Sequence, residues 1–300
     1  MISPRFGASF PFSDKGAIHF SYGHFFQIPR FELLYHNSDF DLNQGTGNVG
    51  IIGNADLEPE KTVSYELGFK YQINNFSILE ATFYCRDIRN LTGTRTEEIS
   101  IFGGASTYSK YENSDFAFVK GVALSMNYFN LDGLSLNMNY TLQQAKGTAS
   151  DPSQAWSASQ GGSLAETYMI PLNWDQSHTL SMILSYSQPN YGFSLIGQLG
   201  SGLPYTPASS INISGLIQNS EKRPITSTFD MRAYYTLNVG KNNAQIYMNI
   251  SNLFNHLNHV NVYNDSGVAD YTNYETDAAN QNTGEYVNSI QEWFNNETFY

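Results

Sequence analysis

The 300-residue chain holds few groupings of residues that could do bond chemistry. His256-x-x-His259 has the spacing of a metal-binding pair, but no third donor completes it and the segment reads as loop. Asp39-x-Asp41-x-Asn43 begins as calcium-binding loops do. Gln44 then stands where a glycine is needed and Gly50 where a bidentate glutamate is needed, so a solvated polar loop is the reading. No Ser-His-Asp, Cys-His, phosphate-loop or paired-carboxylate arrangement stands out, so no enzyme activity and no cofactor are implied. Two other sets remain. Glu66, Lys70, Asp230 and Arg232 are charges at strand period that could line a polar passage or stand idle in water. Tyr108, Tyr111, Trp156, Tyr168, Trp174 and Trp293 are aromatics on segments read as long loops, where ligand contacts or loop packing are expected.

The elements that must position these residues are strands. From Thr62, the residues Val63, Tyr65, Leu67, Phe69, Tyr71 and Ile73 alternate with Ser64, Glu66, Gly68, Lys70 and Gln72. Period-two alternation of this length predicts a strand with one apolar and one wet side. About eleven residues at ~3.3 Å each, tilted by ~45°, rise ~25 Å, the height of the apolar band of a transmembrane barrel. Ten such strands are expected, centred on 6–12, 18–26, 62–73, 76–87, 122–128, 134–143, 180–186, 191–199, 229–239 and 244–250. Mixed parity near Leu79–Glu80 suggests a bulge in the fourth. Short turns follow the odd strands; long segments 27–61, 91–115, 147–177, 201–227 and 255–300 follow the even ones. Aromatics crowd the short-turn ends: Phe10 and Phe12, Tyr71 and Phe76, Tyr128 and Phe129, Tyr191 and Phe193. This asymmetry and these girdles predict an all-β fold, a partial transmembrane antiparallel β-barrel with short periplasmic turns and long extracellular loops.

Composition agrees. Charged residues make up 14% and aromatics 15%, against about 25% charged in soluble chains. Mean hydropathy is −0.36 and no long apolar run exists, which excludes a transmembrane helix but not a barrel. The net charge of −12, with no basic patch visible in the sequence, argues against nucleic acid as a partner. Cys85 is the single cysteine and allows no internal disulfide.

A resemblance adds to this reading. Asn54-Ala55-Asp56-Leu57-Glu58-Pro59-Glu60-Lys61-Thr62, followed by Tyr65-Glu66-Leu67-Gly68, resembles the N-P-x-L-x-P-E-x-[ST]…[YF]-E-x-G block of TonB-dependent outer-membrane receptors, with Ala55 in place of the usual proline. The segment from Tyr22 to Leu33 is similar to the family's entrance to that loop, and Ile250–Asn255, ISNLFN, to its N-L-F-[DN] signature on the penultimate strand. The resemblance implies a plug domain ahead of a barrel of about twenty-two strands. The ten strands here would be the twelfth to the twenty-first, so residues 1–300 are expected to be a fragment of one barrel domain. The plug, the first half of the barrel and the closing strand would be absent. The absence of a signal peptide at Met1–Arg5 fits that expectation. An open curved sheet with two unpaired edges follows from it.

The function so implied is uptake across the bacterial outer membrane of a scarce ligand: an iron-siderophore, cobalamin, or an oligosaccharide or peptide. Its partners would be outer-membrane lipid, the imported small molecule, and TonB acting through the absent plug. A passive porin or adhesin-type barrel is one alternative, and a soluble carbohydrate-binding β protein another.

Overall fold

The computed structural model describes residues 2–37, 47–95, 97–162, 168–208, 218–240 and 242–272. In chain order the elements are β1 (Arg5–Ser13), β2 (Gly16–Gln27), α1 (Phe31–Tyr35), β3 (Gly47–Ile52), β4 (Glu60–Asn74), β5 (Ser77–Thr94), β6 (Ile99–Ile101), β7 (Ser106–Phe129) and β8 (Leu134–Gly147). There follow α2 (Gln154–Gln160), β9 (Ile170–Pro171), β10 (His178–Ser187), β11 (Tyr191–Gly200), β12 (Pro204–Tyr205), β13 (Glu221–Lys222), β14 (Thr226–Val239) and β15 (Asn242–Ile250). Ten of them run as antiparallel neighbours in the order β1-β2-β4-β5-β7-β8-β10-β11-β14-β15. β1 and β15 do not pair with each other, so the sheet is open.

Register keeps the two faces apart. Phe20, Leu67, Phe83, Val122 and Leu142 stand side by side on one face across five strands. One residue along, Ser21, Glu66, Tyr84, Gly121 and Gln143 do so on the other. The apolar face continues through Met126, Met138 and Met182, and through Leu195, Met231 and Ile250. Phe6, Phe10, Phe69, Phe83, Leu124 and Ile246 are exposed there. A soluble sheet would bury such a face. At the short-turn end, Phe12 stacks on Tyr71 with ring centres 6.4 Å apart, and Tyr186 meets Tyr191 and Phe193 at 6.0 and 6.1 Å.

The polar face shows what alternation serves. Asn137 donates to Asn127 Oδ1 at 2.5 Å and accepts from Asn139 Nδ2 at 2.8 Å, a ladder that satisfies amides across β7 and β8. Gly68 lies beneath the His19 ring, and a Cβ there would sit 1.9 Å from His19 Cε1. Gly121 likewise seats Tyr84, whose hydroxyl donates to Gln143 Oε1 at 3.2 Å.

Two expectations need correction. No bulge interrupts Leu79–Glu80, because β4 and β5 pair continuously from Lys61↔Arg89 to Gln72↔Ile78. The parity looked mixed because Ile78 and Tyr84 sit on the polar face, where Tyr84 has its hydrogen bond. Nor is 91–115 a free loop. β5 extends to Thr94 and β7 begins at Ser106, so the two strands rise past their neighbours as a paired tower. β3 joins β7 in parallel and β6 in antiparallel, so irregular-looking polar sequence is held by backbone pairing.

Met138 and Asn137 test the parity. With a bilayer against the apolar face, Met138→Arg is expected to cost ~2–4 kcal/mol of folded barrel. Asn137→Arg should cost less than ~1 kcal/mol, because it stays in water. Heat-modifiable gel mobility measures both; equal losses would refute the face assignment.

Candidate functional site

The long-loop end of the polar face holds a cavity of about 220 Å³. Arg30, Glu60, Asp115 and Asp151 contribute its charge, and Leu33, Leu91 and Pro152 its apolar wall. Three different connections converge on it, so its shape depends on how they are tied down.

The segment 53–60 supplies the tie. Asn54 Nδ2 donates to the Tyr111 carbonyl of β7 at 2.8 Å, while Asn54 Oδ1 accepts the Asp56 amide at 3.1 Å. Leu57 is buried with Leu33, Ile51 and Tyr111, and Leu34 and Trp156 pack against this cluster. Asn113 then grips both sides: its Oδ1 accepts the Glu58 amide at 2.8 Å, and its Nδ2 donates to the carbonyls of Glu58 and Asn90 at 3.0 and 2.8 Å. Asn90 returns a bond to Glu58 Oε2 at 3.0 Å. Pro59 leads into β4 at Glu60. The motif residues Asn54, Asp56, Leu57, Pro59 and Glu60 thus form a clamp onto the β5–β7 tower, and Glu66 and Gly68 continue down the polar face.

The other wall is built by 149–152, and neighbouring residues hold it in place. Leu172 is buried against Ala117, Val119 and Ala145. The Ala145 amide donates to the buried Asp175 carboxylate at 2.8 Å. Asp151 Oδ1 accepts the Ser153 amide at 2.8 Å just before α2.

Charge in the cavity is acidic. Burial raises the Asp115 carboxyl above its ordinary pKa and Glu112 adds to this, against the bond that Thr148 Oγ1 donates to it at 2.9 Å. Burial also raises Glu60, opposed by Arg30. Arg30 itself pairs with exposed Glu32 at 2.7 Å. Both carboxyls lie above the apolar band. Such a pocket suits hydroxyl, amide or cationic groups better than a polyanion.

The residues expected from sequence are dispersed. Glu66 and Lys70 do point from the polar face, Glu66 at 3.9 Å from Arg86 and Lys70 at 3.9 Å from Glu80, with Arg86 and Lys70 exposed and the two glutamates partly so. Arg232 shares that face, opposite Ser194 and Asn249. Asp230 is on that face too, opposite Ile196, and accepts the Asn252 amide at 2.9 Å, fixing the turn after β15. Tyr111 is buried in the cluster under the clamp, and Tyr108 lies on β7 opposite Ile99, on a strand and not a loop. Trp156 stands on α2, its amide donating to Thr94 Oγ1 at 3.1 Å. Tyr168 and Trp174 remain exposed on loops. Trp293 and the Asp39-Asp41-Asn43 segment lie outside the described residues. His259 Nδ1 accepts the Ala269 amide at 2.9 Å, and its Nε2 lies 3.9 Å from Asp270 Oδ2. Sequence reading missed Arg30, Asp115, Asp151 and Asp175. Asp115 was legible as the next polar-parity position upstream of Ala117, and Asp151 as the acceptor of an Asp-Pro-Ser helix start.

A family model described as TonB dependent receptor-like, beta-barrel, matches residues 1–253. No curated protein sequence matches the chain. Among solved structures, the outer membrane transporter YddB from Escherichia coli is similar over 89% of this chain and 38% of its own, at 15% identity and TM-score 0.65. The ferric-catecholate import receptor Fiu from Escherichia coli is similar over 88% of this chain and 32% of its own, at 18% identity and TM-score 0.54. Pyoverdine-bound FpvA from Pseudomonas aeruginosa is similar over 87% of this chain and 30% of its own, at 15% identity and TM-score 0.57. The chain therefore spans about a third of the length of these structures.

The clamp and the buried carboxyl each give a test. Leu57→Ala should destabilise the tower by ~2–5 kcal/mol and Asn54→Ala by ~1 kcal/mol. Limited proteolysis should then cut within 28–59 faster, with the sheet intact. The Asp115 carboxyl is raised, so its contribution is fully present below the ordinary carboxylate pKa and lost as pH rises through the raised value. Protease resistance of the tower should fall over that window, and Asp115→Asn should flatten the profile.

Proposed function

The chain belongs to the TonB-dependent receptor β-barrel family, and from that premise we propose that it forms part of an outer-membrane barrel for energised ligand uptake into the periplasm. The observation that carries this reading is the unbroken separation of faces over ten strands, with an exposed apolar face of membrane height. Long connections, with the tower and its cavity, face the cell exterior; short turns face the periplasm. Ligand is captured at the cavity and passes along the polar face lined by Glu66, Lys70, Arg86 and Arg232. TonB acts through a plug domain outside these residues, on this reading of the chain as part of one barrel domain.

The acidic cavity supports ligands rich in hydroxyl, amide or cationic groups: a neutral iron-siderophore, cobalamin, an oligosaccharide or a peptide. A polyanionic ferric tricatecholate fits it poorly.

Two measurements test this. A cysteine at Ala55 should label from outside intact cells and one at Asn75 should not, in a Cys85→Ser background; the reverse pattern overturns the orientation. Accumulation of radiolabelled ferric hydroxamate, ferric tricatecholate and cobalamin should be TonB-dependent for at least one probe, with the tricatecholate weakest. Accumulation that persists without TonB would make the protein a passive pore.

A further inference from the structure

Below the tower, the apolar face of the sheet carries four basic side chains, and all lie on four adjacent strands. Lys61 of β4 stands directly opposite Arg89 of β5. Lys120 of β7 is opposite Cys85, and Lys146 of β8 is opposite Phe118. Register puts each on the side of Leu67, Phe83, Val122 and Leu142, not on the polar side. Lys61 is ten residues along β4 from the girdle residue Tyr71, a rise of ~25 Å, so the group sits at the upper rim of the apolar band.

Among the described residues, Asp87 is the single acid on these four strands at that level and on this face. It is taken by Arg89 at 2.6 Å, and the Arg89 guanidinium also lies 5.1 Å from the centre of the Phe116 ring. Lys61, Lys120 and Lys146 have no ion-pair partner among the described residues. Like charges paired across strands, as Lys61 and Arg89 are, destabilise a sheet unless an anion lies between them. A chain of net charge −12 has nevertheless gathered a strip of net +3 here. At a strand spacing of about 4.8 Å, four strands span ~15 Å, enough for a headgroup with two phosphates.

We propose that this strip binds the phosphates of an anionic glycolipid in the outer leaflet. The inference rests on the outer-membrane reading above. On this face a lysine stem can lie along its apolar neighbours while its ammonium group reaches up to the headgroup layer. Arg89, held by Asp87 and Phe116, presents a fixed guanidinium beside them.

The test is to express the complete receptor that contains these residues, recover the outer-membrane fraction, extract it in mild detergent and measure lipid A retained per protein. The wild type is expected to retain lipid A. Lys61→Gln/Lys120→Gln/Lys146→Gln should lose retention by at least about fivefold, the effect of roughly one surface charge. Lys15→Gln, on the short turn at the far end, should not change it. A second measurement needs no variant: the heat-modifiable transition of the wild type should rise in phosphatidylcholine nanodiscs when lipid A is added. Inorganic phosphate at millimolar concentration should not reproduce the rise. If the triple variant does not fold, Lys120→Gln alone and the nanodisc comparison decide. A folded outer-membrane protein whose variants keep full retention, or a phosphate-only response, overturns the inference and leaves uptake standing. Absence from the outer-membrane fraction overturns both.

Discussion

Antiparallel backbone pairing without a slip is the constraint from which the rest follows. Because side chains alternate at period two, a one-residue shift anywhere between Phe69 and Leu195 would turn a whole strand's apolar set to the wrong side. The ladder avoids this by pairing β2 through β14 continuously across the apolar band. Outside the band the demand relaxes, and register shifts occur there: between Gln72 and Asn74 at one end, and between Ile88 and Gly93 at the other. The irregularities therefore mark where the solvent changes.

The second dependency is how a polar loop is made solid. Segment 53–60 has too few apolar residues for a core of its own, so it borrows one. Leu57 enters a cluster whose other members come from α1, β3 and β7. Side-chain amides of Asn54, Asn90 and Asn113 satisfy the backbone groups that a loop leaves orphaned. Glycine serves the same economy of space inside, where Gly68 and Gly121 make room for His19 and Tyr84.

Much of the sheet was legible in the sequence because its faces meet different media. Leu134, Leu136, Met138, Tyr140 and Leu142 against Ser135, Asn137, Asn139, Thr141 and Gln143 leave no other reading. Legibility failed where both faces are wet. Ser106–Asp115 carries no apolar alternation because the tower stands clear of the band, so its strands read as loop. Leu79–Glu80 misled for the opposite reason, since Ile78 and Tyr84 place apolar bulk on the polar face. The cavity was harder still. Arg30, Glu60, Asp115 and Asp151 are far apart in sequence, and only the convergence of three connections brings them together.

The shifts between Ile88 and Gly93 also have a mechanical meaning. β5 and β7 are both long strands, and each carries one extra residue at the same level: β5 between Ile88 and Leu91, with Asn90 at φ 60°, and β7 between Glu112 and Asp115. A ladder with one extra residue in each strand loses paired bonds at that level and keeps them above and below, so it is most compliant there. Leu91 and Thr92, between the two shifts, are also part of the cavity wall. Flexure of the tower is thus confined to the level of the cavity, where a small tilt widens or narrows the pocket while the span beneath stays rigid.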